Sequence, residues 1–246
     1  MPTAVVTGAN SGIGHAFAQI LIDEVSSGPS IPSSDQLLTC VQGYEVHACD
    51  LIIDGPLQSL PCRLHRLDVT SPESVSGLAT QLANKPIDVL LNVAGVMTPA
   101  EQDSLETTNK AVLTKTFEVN TFGPLLVTQA LLPGILAGGE KRVGIVSSRV
   151  GSMGDNNSGG SYAYRASKAG VNSIGRSLAV DLREHGVTVS LLHPGIVETN
   201  LNPTAGGHSE AVQPDEAAGK LWSVFREKGV EESGRFWHRE GGELPW

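Results

Sequence analysis

The sequence predicts an α/β protein, a doubly wound parallel sheet of about seven strands with helices on both faces. Three observations carry this. Short runs rich in Val, Ile and Leu alternate with longer stretches of helical periodicity. Those runs are mostly unalternating, as strands covered on both faces are. The first run passes through a glycine-rich turn directly into the first helical stretch. No internal repeat divides the 246 residues, so 1–246 reads as one domain.

The elements follow in order. "TAVVT" (3–7) is the first strand, and "GIGHAFAQILIDEV" repeats apolar residues at helical spacing. Residues 26–42, rich in Ser, Pro and Gly, read as a surface insertion. "YEVHAC" (44–49) and "CRLHRL" (62–67) are the next strands, although "LLTCV" (37–41) competes for the second position. "SPESVSGLATQLA" offers Ser71 as an N-cap and Pro72 at the first helical position. "IDVLLNV" (87–93), "RVGIVSS" (142–148) and "VTVSLLH" (187–193) complete the strand candidates. Between them lie "TTNKAVLTKTFEVN", "TFGPLLVTQALLPGIL" and a helix from Tyr164 that ends at Gly186.

Bulk properties exclude several classes. Hydrophobic residues make up 40% and charged residues 17%, which suits a globular protein with a substantial core. The net charge is −9 with no basic run, which argues against nucleic acid as a partner. No apolar run reads as a membrane span, and "MPTAVVTGAN" lacks the layout of a secretion signal, so a cytoplasmic protein is expected. Cys40, Cys49 and Cys62 have no metal-type spacing and read as reduced thiols. The seven histidines are scattered, and no metal site is expected. Trp222, Trp237 and Trp246 read as core or subunit contacts.

The turn "TGANSGIG" (7–14) carries the first chemical signal. Gly8, Gly12 and Gly14 remove side chains where the chain turns tightly and where a ligand could approach the backbone. A helix N-terminus there offers free N–H groups and partial positive charge to a pyrophosphate. Further along, Tyr164 and Lys168 stand four residues apart, on one helix face. Alone, that pair equally describes a solvated surface.

Together these motifs resemble the short-chain dehydrogenase/reductase family in its compact single-domain, Rossmann-type form. "TGANSGIG", "NVAG" (92–95), "FEVNTFGP" with Asn120, "IVSSRVG", "YRASK" and "HPGIVETN" match its motifs in order. Val93 replaces the second Asn of the family's N-N-A-G. The ending "SGRFWHREGGELPW" with "SSRVGS" resembles C-factor-like and sniffer-like carbonyl reductases. The resemblance implies a dinucleotide-binding, catalytic domain that transfers hydride between a nicotinamide and a carbonyl or alcohol of a small molecule. It further implies a homodimer or homotetramer, with a tail able to reach a neighbouring subunit.

The chemistry needs a proton donor or acceptor at the substrate oxygen. A free tyrosine titrates near ~10, and lowering it by ~3 units takes about 4 kcal/mol. Tyr164 is the expected acid/base, with Lys168 depressing its pKa and, by resemblance, bonding the nicotinamide ribose. Ser148, followed by Arg149, Val150 and Gly151 in the family's pattern, is preferred over Ser147 as the residue holding the substrate oxygen. Asn120 would hold a water for proton relay. Tyr162 is the inactive neighbour.

For the cofactor, Asn10, Ser11 and Ile13 join the three glycines in the turn. Asp50 ends the second strand, and neither Asn10 nor Ser11 is positive, which favours NAD; sniffer-like relatives argue for NADP. By resemblance, Asp68 bonds the adenine, Val69 packs beside it, and Asn92, Ala94 and Gly95 line the adenosine side. Pro194, Gly195, Ile196 and Val197 then lead to Thr199 at the carboxamide.

Overall fold

The computed structural model describes residues 1–24 and 43–246. The insertion expected at 26–42, with the competing strand at 37–41 and Cys40, lies outside the described residues. The strands are β1 (Thr3–Thr7), β2 (Glu45–Asp50), β3 (Arg63–Arg66), β4 (Val89–Asn92), β5 (Arg142–Val146), β6 (Thr188–His193) and β7 (Phe236–His238). They form one sheet in the order β3-β2-β1-β4-β5-β6-β7, and every pairing is parallel. The order reverses between β1 and β4, so a crevice opens at the carboxyl ends of the central strands.

The helices are α1 (Gly12–Asp23), α2 (Pro72–Gln81), α3 (Lys110–Phe117), α4 (Gly123–Ala137), α5 (Tyr162–Asp181) and α6 (Pro214–Glu227). Two apolar layers sandwich the sheet. One joins Val5, Leu90 and Ile145 to α2, α4 and α5 through Leu78, Leu131 and Val171. The other joins Val6, Leu91 and Leu192 to α1 and α6 through Phe17, Leu221 and Phe225. Alternate residues of each central strand therefore feed opposite layers, and both faces are buried.

Local signals act as expected at several ends. Ser71 caps α2 by accepting the Ser74 N–H at 3.1 Å. Gly186 ends the turn after α5 at φ 72°, a left-handed conformation that glycine adopts freely. Gly14 has no alternative, because a Cβ there would lie 2.0 Å from the Gly8 carbonyl oxygen.

Three features depart from the sequence reading, and the tail adds detail to it. Helix α6 has no counterpart in the sequence reading, although Pro214 followed by Asp215 and Glu216 is a helix-start signal. The tail supplies β7, a seventh strand too short for its pattern to declare itself. Trp222 and Trp237 are buried, as core residues are, and Trp246 stacks on Phe236 at 6.0 Å between centroids. The Trp246 carbonyl accepts the Gly154 N–H at 2.9 Å, so the tail lies on its own chain's 151–161 loop. Finally, α3 and α4 run on through a π-turn at Glu118–Phe122, forming a helix long and apolar enough by length and composition to cross a membrane. Its Val127, Leu131 and Ile135 are buried in the core beside the sheet.

Candidate active site

A cleft of about 1170 Å³ runs across the carboxyl ends of the strands. That is larger than the ~300–1,000 Å³ usual for a small-molecule pocket. Asp50, Asp68 and Val69 line it at the β2 and β3 ends, and Gly8, Ser11, Gly12, Ile13 and Gly14 line it at the turn. Ala94 and Gly95 after β4, Ser148 after β5, and Tyr164 with Lys168 on α5 continue the wall. Pro194, Gly195, Ile196, Val197 and Thr199 close it after β6.

The glycine turn is built for close approach. Gly8 and Gly12 hold φ of 68° and 54°. A Cβ on Gly8 would meet the Ala94 backbone at 2.7 Å, and one on Gly12 would meet the Thr199 methyl at 3.1 Å. Ser11, before α1, makes no side-chain capping bond, so the first-turn N–H groups of α1 face the cleft without a cap. Asp50 ends β2, where its carboxylate accepts the Asn10 N–H at 2.9 Å and the Ile52 N–H at 3.1 Å. Among the described residues no lysine or arginine lines that end; of the cleft's cations, Arg149 follows β5, Arg239 follows β7, and Arg165 and Lys168 lie on α5.

Asp68 spends one oxygen on the Thr70 N–H and hydroxyl, at 2.9 and 2.7 Å. Two expected cofactor residues turn away. Asn92 points behind the sheet, where its amide donates to the Thr128 hydroxyl at 3.1 Å. Asn10 contributes its backbone N–H, while its side chain does not line the cleft and its buried oxygen has no partner.

The polar cluster at the other end is ordered by α5. Tyr164 faces the cleft, whereas Tyr162, at the first helical position, is 43% exposed on the outside. Ser148 lines the cleft beside Tyr164 and acts on the phenol to lower its pKa, while its hydroxyl oxygen accepts the Val150 N–H at 3.4 Å. Ser147, alternating to the other face, is buried and donates to Asn172 Oδ1 at 2.6 Å. The Lys168 ammonium donates to the Val146 carbonyl at 2.9 Å and lies 5.8 Å from the Tyr164 ring centroid.

Burial pushes the Tyr164 phenol up to about 12, and the nearby Ser148 hydroxyl only partly offsets this. Burial also pulls Lys168 down to about 8. The expected depression of the phenol by its amine neighbour is therefore absent from the polypeptide by itself, where desolvation sets the direction.

Asn120 sits in the π-turn, a device often found at functional sites. Its Oδ1 accepts the Val96 N–H at 2.8 Å. Its amide donates to the Val96 carbonyl at 2.8 Å and to the Ser167 hydroxyl at 3.1 Å. Both amide hydrogens thus tie the loop after β4 to α5, and the side chain does not line the cleft. Sequence reasoning also passed over His193 and Arg239. His193 accepts the Arg149 N–H at 3.2 Å, and burial drives its pKa down to about 3. Buried Arg239 donates to the Pro194 carbonyl at 2.8 Å and the Glu210 carbonyl at 3.2 Å, joining the turn after β6 to the following segment. His193 opens "HPGIVETN" and Arg239 lies in "SGRFWHREGGELPW", but neither motif by itself reveals these contacts.

No group of three or more metal-ligating side chains occurs among the described residues. His47 and His65 do meet, nitrogen to nitrogen at 2.8 Å, at the sheet edge. Cys49 and Cys62 are free thiols, both pushed up by burial.

A family model described as short chain dehydrogenase matches residues 42–209. The chain belongs to the short-chain dehydrogenase family. This family comprises NAD(P)-dependent oxidoreductases acting on alcohols and carbonyls. A 1-hydroxy-2-glutathionyl-2-methyl-3-butene dehydrogenase of Rhodococcus sp. (strain AD45) is 37% identical over the full length of both chains. The C-signal protein of Myxococcus xanthus is 42% identical over 68% of this chain and 98% of its own. An NADPH-bound carbonyl reductase from chicken fatty liver superposes with a TM-score of 0.84 at 27% identity, covering 100% of this chain and 99% of its own.

Proposed function

We propose that this short-chain dehydrogenase interconverts a small-molecule carbonyl and its alcohol with Tyr164 as acid/base and NAD as the preferred cofactor. The convergence of Tyr164, Ser148 and Lys168 on the cleft that holds the glycine turn carries the reading. The cleft fits a dinucleotide: uncapped N–H groups at α1 suit the pyrophosphate, and the Asp50 carboxylate suits ribose hydroxyls. Asp68 and Val69 stand where an adenine would rest, and Thr199 stands over the turn. When bound, the nicotinamide supplies or accepts the hydride.

The side chains then divide the remaining work. Ser148 holds the substrate oxygen beside the phenol. Tyr164 keeps its proton at neutral pH, the form that donates to a carbonyl oxygen during reduction. Oxidation needs the phenolate, so the charge of Lys168 must help to lower the phenol's pKa first. Asn120 acts through the scaffold, fixing Val96 and α5 relative to each other.

Two observations support other readings. The carbonyl reductase it superposes on carries NADPH, and a relative named for a signal favours a nucleotide-sensing protein of the same fold. Initial rates with NADH and NADPH over carbonyls and alcohols, including a glutathione-conjugated alcohol, test all three. Tyr164→Phe is expected to lose at least ~100-fold in turnover, while Tyr162→Phe keeps most of it. Equal turnover by the two variants removes the acid/base assignment. Binding of either dinucleotide with no turnover on the panel supports sensing instead.

A further inference from the structure

Helix α5 starts without a cap of its own. Ser161, just before it, sits at φ 47° and makes no side-chain capping bond. Its first N–H groups are met by Asp103, sixty residues upstream in the loop between β4 and α3. The Asp103 side chain is buried, with the residue 1% exposed. Oδ1 accepts the Ala163 N–H at 2.9 Å and the Thr108 hydroxyl at 2.8 Å. Oδ2 accepts the Ala163 N–H at 3.1 Å and the N–H of Tyr164 itself at 3.2 Å. A carboxylate buried without such donors would be strongly disfavoured, so these bonds bind the loop firmly to the helix start. The same loop is gripped at its other end, where Asn120 holds both backbone groups of Val96.

We propose that Asp103 is a positioning residue for the reaction. By bonding the backbone of Tyr164 and its predecessor, it sets the direction in which the phenol enters the cleft relative to Ser148. It touches neither substrate nor cofactor. The inference rests on Tyr164 as acid/base, and positional errors of about 1 Å at such a group cost roughly 100-fold in rate.

The test compares the full-length wild type with Asp103→Ala, Asp103→Asn, Asn109→Ala and Tyr164→Phe. The readouts are kcat, KM, the dinucleotide dissociation constant by fluorescence, and thermal unfolding. Asp103→Ala is expected to lower kcat at least about tenfold while dinucleotide affinity stays within about twofold. In Asp103→Asn the amide oxygen can face α5 and its NH₂ can donate to Thr108, so kcat is expected to return to within about threefold of wild type. Asn109→Ala removes the cap of α3, two bonds to the Ala111 and Val112 N–H groups, and is expected to lose stability but not kcat. The proposal is overturned if Asp103→Ala keeps kcat within about twofold, or if its kcat loss matches that of Asn109→Ala at equal loss of stability. Should Asp103→Ala fail to fold, Asp103→Ser replaces it under the same criteria. Full turnover by Tyr164→Phe instead overturns the acid/base reading, whatever the Asp103 variants do.

Discussion

Replacing Lys168 by Met is expected to abolish most activity and yet raise the stability of the protein without added dinucleotide. Lys168 is 4% exposed, and burial lowers its pKa from 10.5 to about 8. At about 1.36 kcal/mol per pKa unit, holding the charged amine in the fold costs about 3 kcal/mol at neutral pH. Met keeps the length of the side chain and removes the charge. It also loses the hydrogen bond to the Val146 carbonyl, worth about 1 kcal/mol. The net gain is about 2 kcal/mol, or roughly 4–8 °C in Tm for a chain of this size.

The pH dependence supplies the control. Below about 8 both folded and unfolded chains hold the proton, so the gap between variant and wild type is fully present. Between about 8 and 10.5 the unfolded chain binds the proton that the folded one has released, and wild-type stability rises with pH. Thermal unfolding of both proteins from pH 7 to 10.5 should show the gap closing over that window. An equal or lower Tm for Lys168→Met at pH 7, or a gap that ignores pH, would refute the claim that burial strains this amine.

Two further outcomes concern the cofactor cleft. Gly14→Ala places a methyl 2.0 Å from the Gly8 carbonyl oxygen and should cost ~1–3 kcal/mol in stability with at least ~10-fold weaker dinucleotide binding. Gly77→Ala, with nothing within 4 Å of the new methyl in α2, should instead stabilise by up to ~1 kcal/mol, both read by thermal unfolding and fluorescence titration. Asp50→Ala should shift the NADH:NADPH ratio of kcat/KM at least ~10-fold towards NADPH, because the carboxylate that repels a 2′-phosphate is gone. A wild-type enzyme already preferring NADPH would defeat the role given to Asp50.

Local pattern alone determined most of the architecture and the outline of the site. Unalternating Val/Ile/Leu runs predict buried strands, and six of the seven strands lie within two residues of the runs that announce them. The glycine turn was legible because the need for missing side chains is local: Gly14 and Gly8 collide six residues apart. The spacing of Tyr164 and Lys168 likewise reflects one helix turn.

Tertiary structure decided what depends on contacts between distant segments. Both Asn92 and Asn120 belong to motifs, but only packing turned one towards Thr128 behind the sheet and spent the other on Val96 and Ser167. Burial, set by the whole fold, raised the Tyr164 pKa, whereas spacing alone shows only an amine one helical turn away. The cap of α5 comes from Asp103 in a loop with no helical pattern. Hydrophobic periodicity reports which face of an element is buried. It does not report which remote donor or acceptor will meet a polar atom there, because that pairing exists only once the chain has folded.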